Sequence, residues 1–251
     1  MDRTASTYFA DVRSSSLLTP HLRRLELEVE GDYESTGIAD EWFRIFLPTP
    51  AGEPAVLPVS QGKGWSFPDD VPREGRWYTI REYAAPMLTV DVVVHEGGAA
   101  ADWARRVQPG ERIAISGPDG RYGADQPTDW ELIAADMTGL PAALRILSEL
   151  PAGKPAIALL EVPGPEDEQE LDVGAAVEVR WIHNAQHGHG PSVLPDAVRS
   201  VEWRDGTPYV WMSAEAAATR DVRSYVRRER RVPNGCADVV GYWSLRRNTA
   251  R

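Results

Sequence analysis

The chain is 251 residues long, 42% hydrophobic and 26% charged, with a formal net charge of −11 at pH 7. That length suits two domains of roughly a hundred residues or more each, and the acidic balance argues against general nucleic-acid binding. A single cysteine, Cys236, excludes an intramolecular disulfide and any cysteine-rich zinc or iron–sulfur centre. No apolar run reaches the length of a membrane span, and the opening MDRTASTYFADV lacks the basic start and apolar stretch of a secretory signal. A cytoplasmic protein without membrane insertion is therefore expected.

The first half reads as β-rich. Leu22 to Val29 (LRRLELEV) alternates apolar and polar residues, as a half-buried strand does. Trp42 to Leu47, Trp77 to Tyr83, Leu88 to His95 and Arg112 to Ser116 read as four more strands. Connections rich in Pro and Gly separate them, such as Pro48 to Pro58 and Pro68 to Gly75. Short strands with such turns point to an antiparallel barrel. One helix interrupts them, Ala99 to Val107, preceded by Gly98 and stopped by Pro109-Gly110.

The rhythm then changes. Glu131 to Ala135 is a short apolar strand, and Pro141 to Leu150 is a helix with proline in its first turn. Strands at Ala156 to Val162, Val177 to Ile182, Pro208 to Ser213 and Val239 to Trp243 alternate with helices at Ser192 to Ser200 and Ala216 to Arg230. That alternation implies a parallel, doubly wound sheet. The switch falls in the Gly/Pro/Asp-rich stretch from Gly117 to Asp129. We place the division at 122/123: an all-β barrel domain over 1–122 and an α/β domain over 123–251.

Charge is unevenly spread. Glu161 to Asp172 holds six acids and no base, which reads as a solvated loop. From Arg220 to Arg251 there are nine arginines against three acids. Such a cluster is either a solvated helix face or a local field for an anionic ligand. His183, His187 and His189 lie in a Gly-rich stretch without a nearby carboxylate in the loop, so a flexible loop is expected there and no metal site.

The sharpest chemical signal is Arg76-Trp77-Tyr78-Thr79-Ile80-Arg81. An aromatic ring at Tyr78 can stack on an isoalloxazine, a backbone N–H or hydroxyl at Thr79 can reach its N5 edge, and an arginine at 76 can pair with a pyrophosphate. Downstream, Val92-Val93-Val94-His95 leads into Gly98-Ala99-Ala100-Ala101-Asp102-Trp103-Ala104. Small residues at a helix start let backbone N–H groups approach a phosphate, helped by the helix dipole.

These segments resemble the flavin motif and its partner in the siderophore-interacting protein family. Further stretches extend the likeness in order: Leu18 to Arg24, Gln108-Pro109-Gly110-Glu111, Gly117-Pro118-Asp119-Gly120, Asp136-Met137-Thr138-Gly139-Leu140-Pro141-Ala142, Tyr209-Val210-Trp211 with Glu215-Ala216, and Gly241-Tyr242-Trp243. Departures stand at Ala99, Met137, Gly139, Ala214 and Ser244, mostly in the second half.

The resemblance implies a ferredoxin-reductase-like architecture, an antiparallel FAD-binding barrel followed by a parallel-sheet, NAD(P)-binding-like domain. It implies FAD as cofactor, held by Arg76, Tyr78, Thr79, Ile80, Arg81, Asp91, Val93, Val94, His95, Gly98, Ala99, Ala100 and Trp243, with Tyr78 and Thr79 at its reacting end. It sets NADH or NADPH near Asp136, Thr138 and Glu215. It implies reduction of a ferric siderophore, and the basic balance from Arg220 to Arg251 makes Arg220, Arg223, Arg227, Arg246 and Arg247 candidate substrate contacts. The related readings are an NAD(P)H:acceptor flavin reductase, or a flavoprotein that binds ferric chelates and takes electrons from a reduced ferredoxin.

Overall fold

A computed structural model describes residues 6–49, 54–62 and 64–245. Arg246 and Arg247, two of the candidate substrate contacts, lie outside the described residues. The chain forms two compact units, Met1–Gly120 and Arg121–Arg251.

The first unit holds strands β1 (Thr7–Thr19), β2 (Leu22–Val29), β3 (Trp42–Phe46), β4 (Val59–Ser60), β5 (Trp65–Ser66), β6 (Gly75–Thr79), β7 (Glu82–Ala84), β8 (Met87–Val93), helix α1 (Ala99–Arg106) and strand β9 (Arg112–Ser116). Seven of them form one antiparallel sheet in the order β6-β3-β9-β1-β2-β8-β7. The two outermost strands, β6 and β7, are consecutive in the chain and joined only by Ile80 and Arg81. Arg81 donates its N–H to Thr89 of β8 at 2.9 Å. The connection thus draws the two ends of the sheet together into a barrel-like curl.

Two details differ from the sequence reading. Trp77 to Tyr83 is two strands, because the chain leaves the β3 ladder at Ile80 to reach β8. Strand β1 was not expected at all. Its polar run Ser14-Ser15-Ser16 hides any period of two, and its ladder with β2 slips between Val12 and Ser14 and again between Leu17 and Thr19.

The barrel core follows the alternation of its strands. Leu25, Leu27 and Val29 of β2, Leu88, Val90 and Val92 of β8, and Ile113 and Ile115 of β9 are buried together. Helix α1 adds Ala100, Trp103 and Ala104 to that core, which places Trp103 as a packing anchor.

The second unit comprises β10 (Trp130–Ala135), α2 (Leu140–Glu149), β11 (Ala156–Val162), a 3-10 turn (Pro165–Asp167), β12 (Val177–His183), α3 (Leu194–Ser200), β13 (Pro208–Glu215), α4 (Ala216–Arg228) and β14 (Ala237–Trp243). The five strands are parallel, in the order β12-β11-β10-β13-β14. β10, β11 and β13 are buried along their whole length, as central parallel strands are. Leu194 and Val198 of α3 and Val222, Tyr225 and Val226 of α4 pack over them. The strand order reverses between β10 and β13, the topological switch point at which such sheets bind ligands beyond their strand ends.

Among the described residues, no helix is long and apolar enough to cross a membrane.

Candidate functional site

In the first unit the site grows out of the barrel seam. Tyr78 lies directly opposite Phe43 of β3 and packs against the core beneath it. Burial pushes its phenol up to about 12, against the opposing charge of Arg76, so Tyr78 stays neutral and offers its ring. Ile80 donates to Glu41 on the β3 side, and Arg81 donates to Thr89 on the opposite side. Successive N–H groups of a strand point to opposite sides within the sheet. The Thr79 N–H therefore points the same way as that of Arg81, away from β3 and off the ladder.

Arg76 is exposed and reaches Glu74 at 2.5 Å. Ile80 and Thr79 are buried. Val93 closes β8, and Val94 follows it with its N–H donated to His21 at 2.9 Å. Asp91 has its carboxylate turned to Arg24, which grips it twice, Nε to Oδ1 at 2.7 Å and Nη2 to Oδ2 at 2.8 Å.

Helix α1 begins after Gly98, and its first-turn N–H groups receive no side-chain cap. The exposed His95 ring lies against Gly98, where a Cβ would stand 2.6 Å from its Cε1. Gly98, Ala99 and Ala100 thus form a bare helix start with free donors, beside a site where any side chain would intrude. A half-buried aromatic ring, an off-ladder N–H and an uncapped helix N-terminus are the features that a flavin ring and its pyrophosphate require. The residues present fit FAD.

One charged residue on the outer face of this strand pair was missed by sequence reasoning. Arg44 of β3 lies opposite Trp77 and stands over its ring at 4.9 Å. Its Nε is buried without a hydrogen-bond partner. Burial, together with the charge of Arg76, lowers its pKa from the ordinary arginine value. Trp77 itself is 55% exposed. The sequence signal was a lone Arg in the apolar run WFRIFL, which by itself only suggests a strand's outer face.

The second unit gathers its polar groups at the carboxyl ends of the parallel strands. Asp136, Thr138 and Glu215 are brought together there. Asp136 is fully buried. Its Oδ1 accepts the N–H and hydroxyl of Thr138 at 2.8 and 2.6 Å and the N–H of Gly139 at 3.3 Å. Its Oδ2 accepts the N–H of Glu215 at 2.9 Å and the indole N–H of Trp243 at 2.7 Å. Burial raises its pKa despite these donors and the charge of His187. Glu215 caps α4 through Ala217 and Ala218 N–H, and accepts Leu245 N–H at 3.2 Å.

The start of α2 differs from that of α1. Leu140 N–H goes to Asp136 O at 2.8 Å, Pro141 has none, and Ala142 and Ala143 both donate to Gly139 O. Gly139 is required there, because a Cβ would stand 2.2 Å from Ser213 O. This helix start offers no spare donor in its first turn.

Two sequence expectations are corrected. The acidic stretch from Glu161 to Asp172 is not wholly solvated, since Glu161 and Asp167 are fully buried. Glu161 accepts Ser192 Oγ at 2.7 Å, Val193 N–H at 2.9 Å, Leu194 N–H at 3.2 Å and Asn184 Nδ2 at 3.0 Å. Burial works to raise its pKa, but hydrogen bonds from His187, Ser192, Asn184 and Val193 outweigh it and hold the carboxyl below the ordinary range. Nor is His187 a free loop residue. Its side chain is 9% exposed, with Nδ1 3.5 Å from Glu161 Oε1. The partner comes from another strand end, so no local pattern announced it. Among the described residues there is no cluster suited to a metal ion.

The candidate substrate arginines separate. Arg220 and Arg227 of α4 are exposed, whereas Arg223 donates to Val239 O and ties the helix to β14.

Residues 11–122 match the family of the siderophore-interacting FAD-binding domain, and residues 128–246 match the siderophore-interacting protein family. This chain belongs to the siderophore-interacting proteins. FAD is accordingly the cofactor of its first unit. Among solved structures, a siderophore utilization protein from T. fusca superposes with a TM-score of 0.82 at 28% identity, covering 96% of this chain and 94% of that one. The ferric vibriobactin reductase of Vibrio cholerae is 27% identical over 82% of this chain and 77% of its own length. An uncharacterized protein of Mycobacterium tuberculosis is 36% identical over 183 residues, 67% of this chain. That match spans 64% of the mycobacterial relative's length. The two-unit architecture of this siderophore-interacting protein is the ferredoxin-reductase-like one.

Proposed function

We propose that this siderophore-interacting protein is an FAD-dependent reductase of ferric siderophores, taking electrons from NADH or NADPH and releasing iron as Fe(II). The observation that carries the reading is the seam of the barrel: Tyr78 and the off-ladder Thr79 N–H on one strand, with a bare helix start at Gly98 in the same unit. Bound FAD supplies the hydride acceptance and single-electron transfer that the reaction needs. Tyr78 provides a neutral face for the flavin ring. Thr79 offers a hydrogen-bond donor to its edge. Gly98, Ala99 and Ala100 receive the pyrophosphate, with Arg76 as a further cation.

Arg44 and Trp77 support recruitment of an anionic chelate to the barrel's outer face. The half-buried guanidinium over an exposed indole presents charge and a planar surface together. Arg220 and Arg227 would add to the long-range field. Hard oxygen donors hold Fe(II) less tightly than Fe(III), so reduction frees the metal without a general acid.

One observation favours a second electron donor, a reduced ferredoxin. The first turn of α2, the natural place for a nucleotide phosphate at the switch point, has its donors already bonded within the chain. Anaerobic spectra decide between these. Bleaching of the flavin by NADH or NADPH, recovery on adding a ferric siderophore, and one Fe(II) trapped per electron support the proposal. Flavin that only a reduced ferredoxin bleaches selects the second donor. Flavin that no ferric chelate reoxidises overturns the reading.

A further inference from the structure

At the carboxyl end of the second unit's sheet, three buried carboxylates surround one imidazole. Glu161 ends the β11 side, Asp136 follows β10, and Asp167 closes the 3-10 turn. His187 stands between them, and its ring meets that of Trp243 edge-on, 5.7 Å between centroids at 62°. The same Trp243 gives its indole N–H to Asp136. The imidazole therefore links the loop 184–190 on one side to the end of the last strand on the other.

Buried carboxylates need a compensating positive group, and a histidine supplies one only while protonated. Glu161 faces His187 at ion-pair distance, and Asp136 and Asp167 add their charges. The other two histidines of the stretch do not share this place: His183 pairs with Glu168 at 2.7 Å, and His189 is exposed. The loop that carries His187 is short and held by its own turns, His187 N–H to Asn184 O and Gly190 N–H to Gln186 O. Gly188, at φ +81°, gives it a left-handed step.

We propose that His187 is a protonation-sensitive clamp: as a cation it holds loop 184–190 and the Trp243 indole against the buried carboxylates, and on losing its proton to solvent it releases both. Burial favours the neutral imidazole, but Glu161, Asp136 and Asp167 outweigh it, so the proton is held to higher pH than on an ordinary histidine. The clamp thus opens at higher pH than the titration of an ordinary histidine would set.

The test is NMR of the full, FAD-loaded chain titrated across about pH 5 to 9, the range over which histidines change charge. The Trp243 indole N–H signal is assigned by its loss in Trp243→Phe. The expected result is that this signal titrates with the midpoint of the His187 ring, and that His187→Gln abolishes its titration while leaving the other indole signals in place. Glu161→Gln should move the midpoint to lower pH. A Trp243 signal that is flat while His187 titrates, or one that titrates unchanged in His187→Gln, overturns the clamp. If Glu161→Gln fails to fold, the wild type and His187→Gln decide by themselves.

Discussion

The Trp243 indole N–H donates to Asp136 Oδ2 at 2.7 Å, bonding the end of β14 to the residue after β10 across 107 positions of sequence. The resemblance sets Trp243 beside the flavin, yet its polar end is spent within the second unit. A hydrogen bond to a buried carboxylate contributes roughly 1.5–3 kcal/mol. Trp243→Phe should therefore loosen the carboxyl end of the sheet. Hydrogen exchange at the amides of Ser213, Ala214 and Leu245 should accelerate, while amides of the barrel stay protected. Unchanged exchange would show that Asp136 is held without the indole.

Arg24 and Asp91 make the corresponding pair in the first unit, with Asp91 fully enclosed and Arg24 keeping 32% of its side chain in solvent. Removing Arg24 leaves a buried, unpaired carboxylate. Arg24→Ala should cost about 2–3 kcal/mol, less than for a fully buried pair because of that exposure. FAD affinity should survive in the folded fraction. A large loss of flavin binding at unchanged stability would instead place Asp91 at the cofactor.

Tyr78 and Gly98 are predicted to hold opposite ends of the cofactor. Tyr78→Ala should weaken FAD binding by about fivefold or more, since ring stacking contributes about 1 kcal/mol beyond buried area, and should relieve quenching of flavin fluorescence. Gly98→Val drives a branched side chain toward the His95 ring and the helix start. It should lower FAD affinity with little change in the barrel's circular dichroism. Equilibrium dialysis with FAD checks both, and full retention by a folded Gly98→Val variant would move the phosphate site elsewhere.

The buried cluster also predicts how the second unit responds to pH. Glu161 is held below its ordinary value, so its contribution is complete above the usual glutamate range and is lost as pH falls through the lowered value. His187 is raised, so its contribution is complete below the usual histidine range and is lost as pH rises through the raised value. Asp136, also raised, adds a decline as pH rises above the ordinary aspartate range. Stability of the second unit should fall toward alkaline pH, and His187→Gln should flatten that limb and also weaken the acid one, since His187 helps hold Glu161 low. Urea midpoints measured across pH would show it.

Arg223 is committed to β14, so exchanging it would confound any test of substrate recruitment. Arg220→Glu with Arg227→Glu leaves that bond intact. The double variant should slow reoxidation of photoreduced protein by anionic ferric chelates, with the difference fading as salt rises. Neutral chelates should react at the wild-type rate. Equal rates for both chelate classes in both proteins would reduce the two arginines to a solvated helix face.

The sequence by itself determined the two-part fold and marked its first part as the FAD-binding one, because both rest on local signals. Alternation in LRRLELEV, the apolar runs before each helix, and the small residues at Gly98 to Ala101 act within a few positions of one another. Strand β1 escaped it, since three serines carry no period and only pairing with β2 and β9 makes that segment a strand. Only the tertiary structure decided which charges are used. Asp91 is bound by a residue 67 positions away, Glu161 by one 26 positions away, and Trp243 by Asp136, just after the first strand of its unit. Whether a carboxylate is a ligand group or an internal anchor depends on which donors the folded sheet brings to it, and charges meet across strand ends that no sequence spacing records.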